Sequence, residues 1–189
     1  MKRTSTDIPK ASKEVLLEAS KLSNPAARFL VANYYDAQEA RKRVDMQLRH
    51  LGEKITHDEI VSTLDWTASA NANIEGQVLR CLKKFAEGSL IGRWCLEQHG
   101  VGPVLAAGFI ANIDIEIAQT AGQVWRFAGM DPSCKWEKGE KRPYNAGLKQ
   151  LCFHFGECAK RTAGKARQHH DHRLLRSRHQ HAPDGDIRL

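Results

Sequence analysis

The 189-residue chain lacks any apolar run that approaches the roughly 20 residues needed to cross a membrane. Its N-terminus is polar and leads into no apolar signal core, so no secretory targeting is predicted. Five cysteines form an odd set without a Cys-x-x-Cys pair, which favours a reduced, cytoplasmic protein over a disulfide-bonded one. We expect Cys81, Cys95 and Cys152 to be ordinary core residues.

Positive charge is in excess, with 29 Lys and Arg against 22 Asp and Glu, a formal net charge of +7 and a pI near 9.3. This balance indicates an anionic partner, nucleic acid first and an anionic membrane surface as the weaker alternative. Hydrophobic residues make up 41% of the chain, enough to bury a core. We find no sheet-forming region, so the sequence predicts an all-α protein.

A glycine-rich bend is the feature around which the chain is organised. Gly100 and Gly102 predict a tight turn, and Pro103 follows where an apolar helical pattern begins. Ser89 is predicted to cap the preceding helix, residues 90–98. We expect the turn to present backbone N–H groups at a helix N-terminus, which favours a phosphate. This arrangement resembles the helix-hairpin-helix of sequence-independent DNA-binding proteins; the alternative is a bare αα-turn without a ligand.

The N-terminal half predicts a flexible lead, residues 1–10, followed by a helical region, residues 11–88. Ser12 is expected to cap a short helix, and Asn24-Pro25 to start a long helix that ends at Leu51 before Gly52. The apolar stripe of the long helix repeats every seven residues and is typical of a coiled-coil-like partner; it comprises Leu30, Ala37, Val44 and Leu51.

A second long helix is predicted from a capping box, Thr56 to Glu59, to about Glu87. Its middle, residues 69–73, has weak helix propensity, so a break or bend stays open there. We interpret the two long helices as an antiparallel helical hairpin arm that projects or dimerises. The alternative is a folded-back bundle in which one helix bends.

The C-terminal half predicts short elements. Residues 113–117 alternate like a strand but are few, so we expect a short extended connection. Thr120 and Gln123 form a second capping box that opens a helix ended by Gly129, with Trp125 and Phe127 expected in the core. Asn145 is expected to cap the next helix, whose inward residues would be Leu148, Leu151, Cys152 and Phe155.

A polar loop, residues 131–144, interleaves basic with aromatic side chains. Trp136 and Tyr144 lie among Lys135, Lys138, Lys141 and Arg142. Such a pattern suits nucleic acid, because cations contact phosphates and rings stack on bases or pack against sugars. The alternative is that the two rings anchor the loop to the core while the lysines face water.

The segment 161–189 is basic and His-rich and is expected to be largely disordered. It would act as a basic arm on phosphates or as a charged tail with no specific role. His170 and His172 alone do not complete a metal site, so neither a metal nor another cofactor is predicted.

The order of motifs carries a family resemblance. The run His99–Ala107 is followed by Trp125–Pro132, by a Lys-Gly loop and by Asn145–Lys149. Over residues 90–160 this resembles the C-terminal domain of the RNA-guided insertion-sequence transposases. The resemblance implies a DNA-handling domain, which we place at residues 89–160.

Two departures from that family argue against catalysis. The family carries a RuvC-like nuclease domain with a DEDD carboxylate set, whereas the first 88 residues here predict helices without gathered carboxylates. The family also supplies a serine nucleophile just before a glycine, whereas here Lys138 precedes Gly139. Ser133 is the one candidate for a displaced nucleophile and lies too early, so we do not assign an enzymatic activity.

These patterns predict a non-catalytic, largely sequence-independent DNA-binding protein of mobile-element or phage type, associated with the nucleoid when bound. One alternative is a phage or mobile-element protein that binds RNA or inhibits a host nucleic-acid enzyme, with the hairpin contacting the host protein. Another is a transposase or recombinase component that borrows a nuclease domain. The hairpin is also a candidate homodimer contact. The predicted nucleic-acid contacts are Arg93, His99, Gly100, Val101, Gly102, Val104, Arg126, Lys135, Trp136, Lys138, Lys141, Arg142 and Lys149.

Overall fold

A computed structural model describes residues 9–51, 58–133 and 135–180. Within these ranges the protein is all-helical and contains no β-strand, which confirms the predicted fold class. None of the helices in this part is long and apolar enough to cross a membrane. The seven helices described are α1 (Lys13–Ala19), α2 (Asn24–Leu51), α3 (Asp58–Glu87), α4 (Leu90–Glu97), α5 (Pro103–Asn112), α6 (Ala121–Phe127) and α7 (Ala146–Gln180).

Side-chain caps fix the starts of four helices, as the sequence predicts. Ser12 and Ser89 accept hydrogen bonds from backbone N–H groups in the first turns of α1 and α4. Thr120 and Gln123 form both halves of a capping box on α6. The Asn145 side chain accepts the Leu148 N–H at 3.0 Å at the start of α7. These bonds satisfy N–H groups that a helix leaves without internal partners.

The start of α2 differs from the prediction by one residue. Ser23, rather than Asn24, accepts the Ala26 N–H through its hydroxyl, so Asn24 is the first helical residue and Pro25 the second. Serine caps helices as well as asparagine does, and proline has no N–H to lose in the first turn. The predicted cap at Gly52 and the capping box at Thr56 lie outside the described residues.

The two long helices pack against each other along their length. They run antiparallel, because Arg41 of α2 bonds Glu75 of α3 while Ala27 nearer the start of α2 shares a core cluster with Phe85 near the end of α3. Helix α5 packs against both of them, so the core lies where the three helices meet.

Helix α3 continues through residues 69–73 without a break. Ala68 and Ser69 are buried there, and the Asn73 side chain donates to the Ser69 carbonyl at 3.2 Å. Burial of this small-residue face therefore outweighs the weak local helix propensity.

Helix α7 runs antiparallel to α5. Asn145 donates to the Asn112 side chain at 3.0 Å where α7 begins and α5 ends. Leu151 packs against Gly108 midway along α5, and Thr162 lies beside Gly100, just before α5 starts. Helix α7 therefore spans α5 from end to end.

Two predictions for the C-terminal half are wrong. Residues 114–118 form a turn, in which the Ala118 N–H donates to the Asp114 carbonyl at 2.8 Å, rather than an extended connection. Trp125 and Phe127 are 59% and 44% exposed, and α6 buries no residue fully. Within the described residues, α6 does not pack closely against any other helix, so its aromatic side chains stay accessible.

The three cysteines expected in the core differ in burial. Cys95 is buried in a small cluster with Ala86 and Ala106, whereas Cys81 and Cys152 are half-buried. Burial raises the pKa of all three thiols, so they stay protonated near neutral pH. Cys95 therefore matches the predicted core role fully, and the other two do so in part.

Helix α7 crosses the boundary predicted at residue 160. It continues without interruption to Gln180, so residues 161–180 have helical backbone. The remainder of the predicted tail, residues 181–189, lies outside the described residues, as does most of the predicted lead.

Candidate nucleic-acid interface

The bend between α4 and α5 has the backbone geometry that its glycines predict. Gly100 has a φ of +85°, in the left-handed region that favours glycine, and the Val101 N–H donates to the Gln98 carbonyl at 3.1 Å. Gly102 is the N-cap of α5, with Pro103 at the first helical position. Helix α4 packs tightly against the end of α3, since Gly92 lies against the Ala86 carbonyl.

The N-terminus of α5 is open at Gly102. Gly102 is exposed, and a Cβ added there would meet no atom within 4 Å. No side chain caps this helix, and its first turn contains no acidic residue. The positive end of the helix dipole therefore faces space that an anion can enter.

Helix α7 forms one wall beside the bend. A Cβ built on Gly100 would lie 3.0 Å from Thr162 Oγ1 and 3.8 Å from the Cys158 carbonyl carbon. Lys160 and Arg161 are exposed on this part of α7. Nothing in the local sequence predicts that this part of α7 lies beside the bend, because the two segments are about 60 residues apart in the chain.

The other residues predicted at the bend have different surroundings. His99 is exposed, and the exposed Arg93 donates to the Glu87 carbonyl at 2.9 Å, where α3 meets α4. Val101 is half-buried and Val104 is buried in the core, so their side chains are not available to a ligand. Only their backbone groups can contribute to binding at the bend.

The basic loop, residues 135–142, is organised around Trp136. The indole Nε1 donates to the Glu140 carbonyl at 2.8 Å, and the Arg142 guanidinium carbon lies 5.3 Å from the ring centroid. Lys135, Lys138 and Lys141 are exposed. Trp136 thus closes the loop on itself and leaves the three ammonium groups facing outward.

Tyr144 anchors the end of that loop. Its ring packs so closely on Gly129, which has a φ of +66°, that a side chain there would overlap the ring, and Lys149 Nζ lies 4.7 Å from the ring centroid. The Asn145 N–H donates to the Phe127 carbonyl at 2.8 Å. The structure therefore supports the anchoring role for Tyr144. Lys149 contacts the end of the loop through the Tyr144 ring.

The predicted contact residues fall into two groups at opposite ends of α5. The bend group lies at its N-terminus, whereas Arg126, Lys149 and the basic loop lie near its C-terminus, at Asn112. At 1.5 Å per residue, the 10 residues of α5 separate the groups by about 15 Å. One ligand must therefore be extended to contact both.

Comparisons of the chain with protein-family models, with curated proteins and with solved structures found no match. The resemblance to the transposase C-terminal domain therefore rests on the order of motifs alone.

Ser133 is engaged in a local turn. Its hydroxyl donates to Asp131 Oδ1 at 2.7 Å and its N–H donates to the same oxygen at 2.9 Å. These two hydrogen bonds lower the pKa of the Asp131 carboxyl, which makes it a poor proton acceptor for an attacking hydroxyl. The pair has the geometry of a turn cap.

One residue that sequence analysis missed lies beside a predicted one. Arg28, in the second turn of α2, lines the same cleft as Arg126 of α6. Nothing in the sequence around Arg28 distinguishes it from other exposed arginines, so only the tertiary structure reveals the pair. Among the described residues, no group of three or more His, Cys, Asp or Glu side chains is placed to hold a metal ion.

Proposed function

We propose that this protein binds nucleic acid, duplex DNA by preference, largely without regard to base sequence and without catalysing a reaction on it. The observation that supports the proposal best is the open N-terminus of α5 at Gly102, where backbone N–H groups and the helix dipole are accessible. A phosphate is the anion that a nucleic acid would offer at such a site.

Positive charge near both ends of α5 supports a polymeric ligand. Lys160 and Arg161 are exposed on the part of α7 that carries Cys158 and Thr162, which lie nearest Gly100, and Lys135, Lys138 and Lys141 are exposed on the basic loop. The separation of about 15 Å corresponds to about four phosphates along one strand, which are about 3.4 Å apart along the helix axis. A short stretch of backbone would therefore reach both groups.

The chemistry of these groups supports sequence-independent binding. Backbone N–H groups and exposed ammonium groups contact phosphates, which position a protein on DNA but carry no base information. Trp136 is held by Glu140 and Arg142 within its own loop, which limits its reach into a groove. The shape of the DNA would then decide selectivity. The mobile-element or phage context is proposed from the motif order alone.

Fluorescence anisotropy with purified protein tests the proposal directly. Labelled duplex DNA, branched DNA, single strands and an RNA hairpin would each be titrated over a salt series. We expect the tightest binding to duplex or branched DNA, with equal affinity for unrelated sequences. Tighter binding to the RNA hairpin would overturn the preference for DNA and favour the RNA-binding alternative.

Two substitutions at one position isolate the role of the bend. Gly102 has a φ of −87° and a ψ of 173°, which any residue adopts, and Asp and Asn are both good N-caps. Both Gly102→Asp and Gly102→Asn should therefore fold at least as stably as the parent protein. Because only the aspartate adds a negative charge, Gly102→Asp should bind duplex DNA about tenfold more weakly than Gly102→Asn, a difference of about 1.4 kcal/mol. Equal affinities of the two variants for duplex DNA would show that the bend is not part of the interface.

A further inference from the structure

A cleft of about 590 Å³ opens between the start of α2, the end of α5 and α6. Residues from all three helices line it, among them Asn24, Arg28, Asn112, Gln123, Arg126 and Phe127. Its volume falls within the range that single small molecules fill in proteins, roughly 300–1,000 Å³. The cleft lies at the end of α5 remote from the glycine bend.

Two arginines from distant parts of the chain, Arg28 and Arg126, line this cleft. Arg28 makes no hydrogen bond or ion pair within the described residues, and Arg126 forms no salt bridge there, although its charge acts on Asp131. The planar fork of a guanidinium matches the oxygen atoms of a phosphate, and two of them supply a strong binding site for one.

Side-chain amide groups add hydrogen-bond donors to the cleft. The Gln123 side-chain oxygen accepts the Thr120 N–H, which leaves its NH₂ group to donate elsewhere. Asn24 lines the cleft with no side-chain hydrogen bond in the described part of the protein. Asn112 is already bonded to Gly108 and Asn145, so it fixes one end of the cleft rather than binding. Asp114, whose carboxylate accepts the Glu116 N–H, is the acidic residue among those that line the cleft.

An apolar side completes the cleft. Phe127 is half-exposed and Ile117 is 78% exposed, and both line the cleft together with Pro143. An accessible aromatic ring in the same cleft as two arginines suits a planar base attached to a phosphate. The carboxylate of Asp114 can accept a hydrogen bond from a sugar hydroxyl or an exocyclic amine of such a ligand.

We propose that this cleft binds one nucleotide, with its phosphate on Arg28 and Arg126 and its base against Phe127 and Ile117. A free nucleotide and the terminal nucleotide of a strand share this chemistry. The inference goes beyond backbone binding at the bend, because a single nucleotide needs neither Gly102 nor a polymer.

Isothermal titration calorimetry of the full chain tests this with adenosine monophosphate, adenosine and inorganic phosphate. We expect the monophosphate to bind at least tenfold more tightly than either of the others. Arg28→Gln should weaken its binding about tenfold, whereas Arg43→Gln, an exposed arginine elsewhere on α2, should leave it unchanged. Phe127→Leu should weaken binding of the monophosphate but not of phosphate. Adenosine or phosphate binding as tightly as the monophosphate, or an unchanged Kd in Arg28→Gln, would overturn the proposal.

Short single strands distinguish the two sources of the nucleotide. If the terminus of a strand is the ligand, a 5′-phosphorylated trinucleotide will bind more tightly than its 5′-hydroxyl form, and Arg28→Gln will abolish the difference. If a free nucleotide is the ligand, the monophosphate will bind more tightly than either trinucleotide. Nucleotide binding without duplex binding would reject the proposed function alone, and duplex binding without nucleotide binding would reject the cleft alone.

Discussion

Arg41 Nε of α2 lies 2.6 Å from Glu75 Oε2 of α3, and the two side chains are only 23% and 13% exposed. Asp45 and Gln38 extend this contact, the first bonding Arg41 and the second donating to Glu75. The ion pair therefore joins the two long helices, in addition to the apolar core that they share.

Removal of one partner should destabilise the fold. Arg41→Gln would leave the partly buried Glu75 carboxylate without its cation, at a cost of about 2 kcal/mol in the free energy of unfolding. Lys84→Gln is the matched control, since Lys84 and Glu87 also form a salt bridge but are 50% and 34% exposed. It should cost under about 0.5 kcal/mol. Urea denaturation measures the free energy of unfolding of both variants. Equal losses in the two would show that the partly buried ion pair contributes no more than the exposed one.

The same pair predicts a pH dependence. Burial acts to raise the pKa of Glu75, but hydrogen bonds from Arg41 and Gln38 and the charge of Arg41 outweigh it and hold the pKa below its ordinary value of 4.5. A depressed folded-state pKa contributes stability above pH 4.5, and that contribution is lost as the pH falls through the lower folded-state value. Unfolding free energies measured across this acidic range should fall less steeply in Glu75→Gln. An identical pH profile in the variant would contradict the assignment.

Close packing at Gly92 should be intolerant of a methyl group. A Cβ there would overlap the Ala86 carbonyl oxygen and lie 2.8 Å from Ile110 Cδ1. Gly92→Ala should therefore lower the free energy of unfolding by about 3 kcal/mol. Gly76→Ala in α3 is the control, because a Cβ there meets nothing within 4 Å, and it should raise stability by about 0.5–1 kcal/mol. Chemical denaturation measures the change in the free energy of unfolding, which should be a loss for Gly92→Ala and a gain for Gly76→Ala. An unchanged free energy of unfolding in Gly92→Ala would show that α4 can shift without cost.

The lysines of the basic loop should appear in the salt dependence of DNA binding. Lys138→Gln removes one exposed cation, so the slope of log affinity against log salt should become shallower by about 0.9, the value for one phosphate contact on duplex DNA. Lys13→Gln, at the start of α1 and outside both contact groups, should leave the slope unchanged. Anisotropy titrations over a salt series measure the slopes, and matching slopes for the two variants would exclude the loop from the interface.

Local patterns accounted for the elements more successfully than for their packing. Ser12, Ser89, Thr120 and Asn145 were correctly identified as caps, because a cap bonds N–H groups within three residues of itself. Trp125 was wrongly expected in the core, because periodicity tells which residues share a face but not which face meets another helix.

In the candidate sites as well, local features could be predicted from the sequence whereas contacts between distant segments could not. The positive φ of Gly100 and the open N-cap at Gly102 could be expected from the residues between 99 and 103 alone. The proximity of Arg28 to Arg126, and of Thr162 to Gly100, could not, since each pair lies more than 60 residues apart in the chain. Nothing in their immediate neighbours marks these residues.

The sequence by itself determined the all-helical class of the described part of the chain, the starts of most of its helices and the geometry of the glycine bend. The physical reason is that caps, turns and helical periodicity depend on interactions between residues a few positions apart. Only the tertiary structure decided that α7 runs beside the bend and that α2 brings Arg28 to α6. Those placements depend on which apolar faces bury each other most completely, and this is settled by the packing of all the helices together.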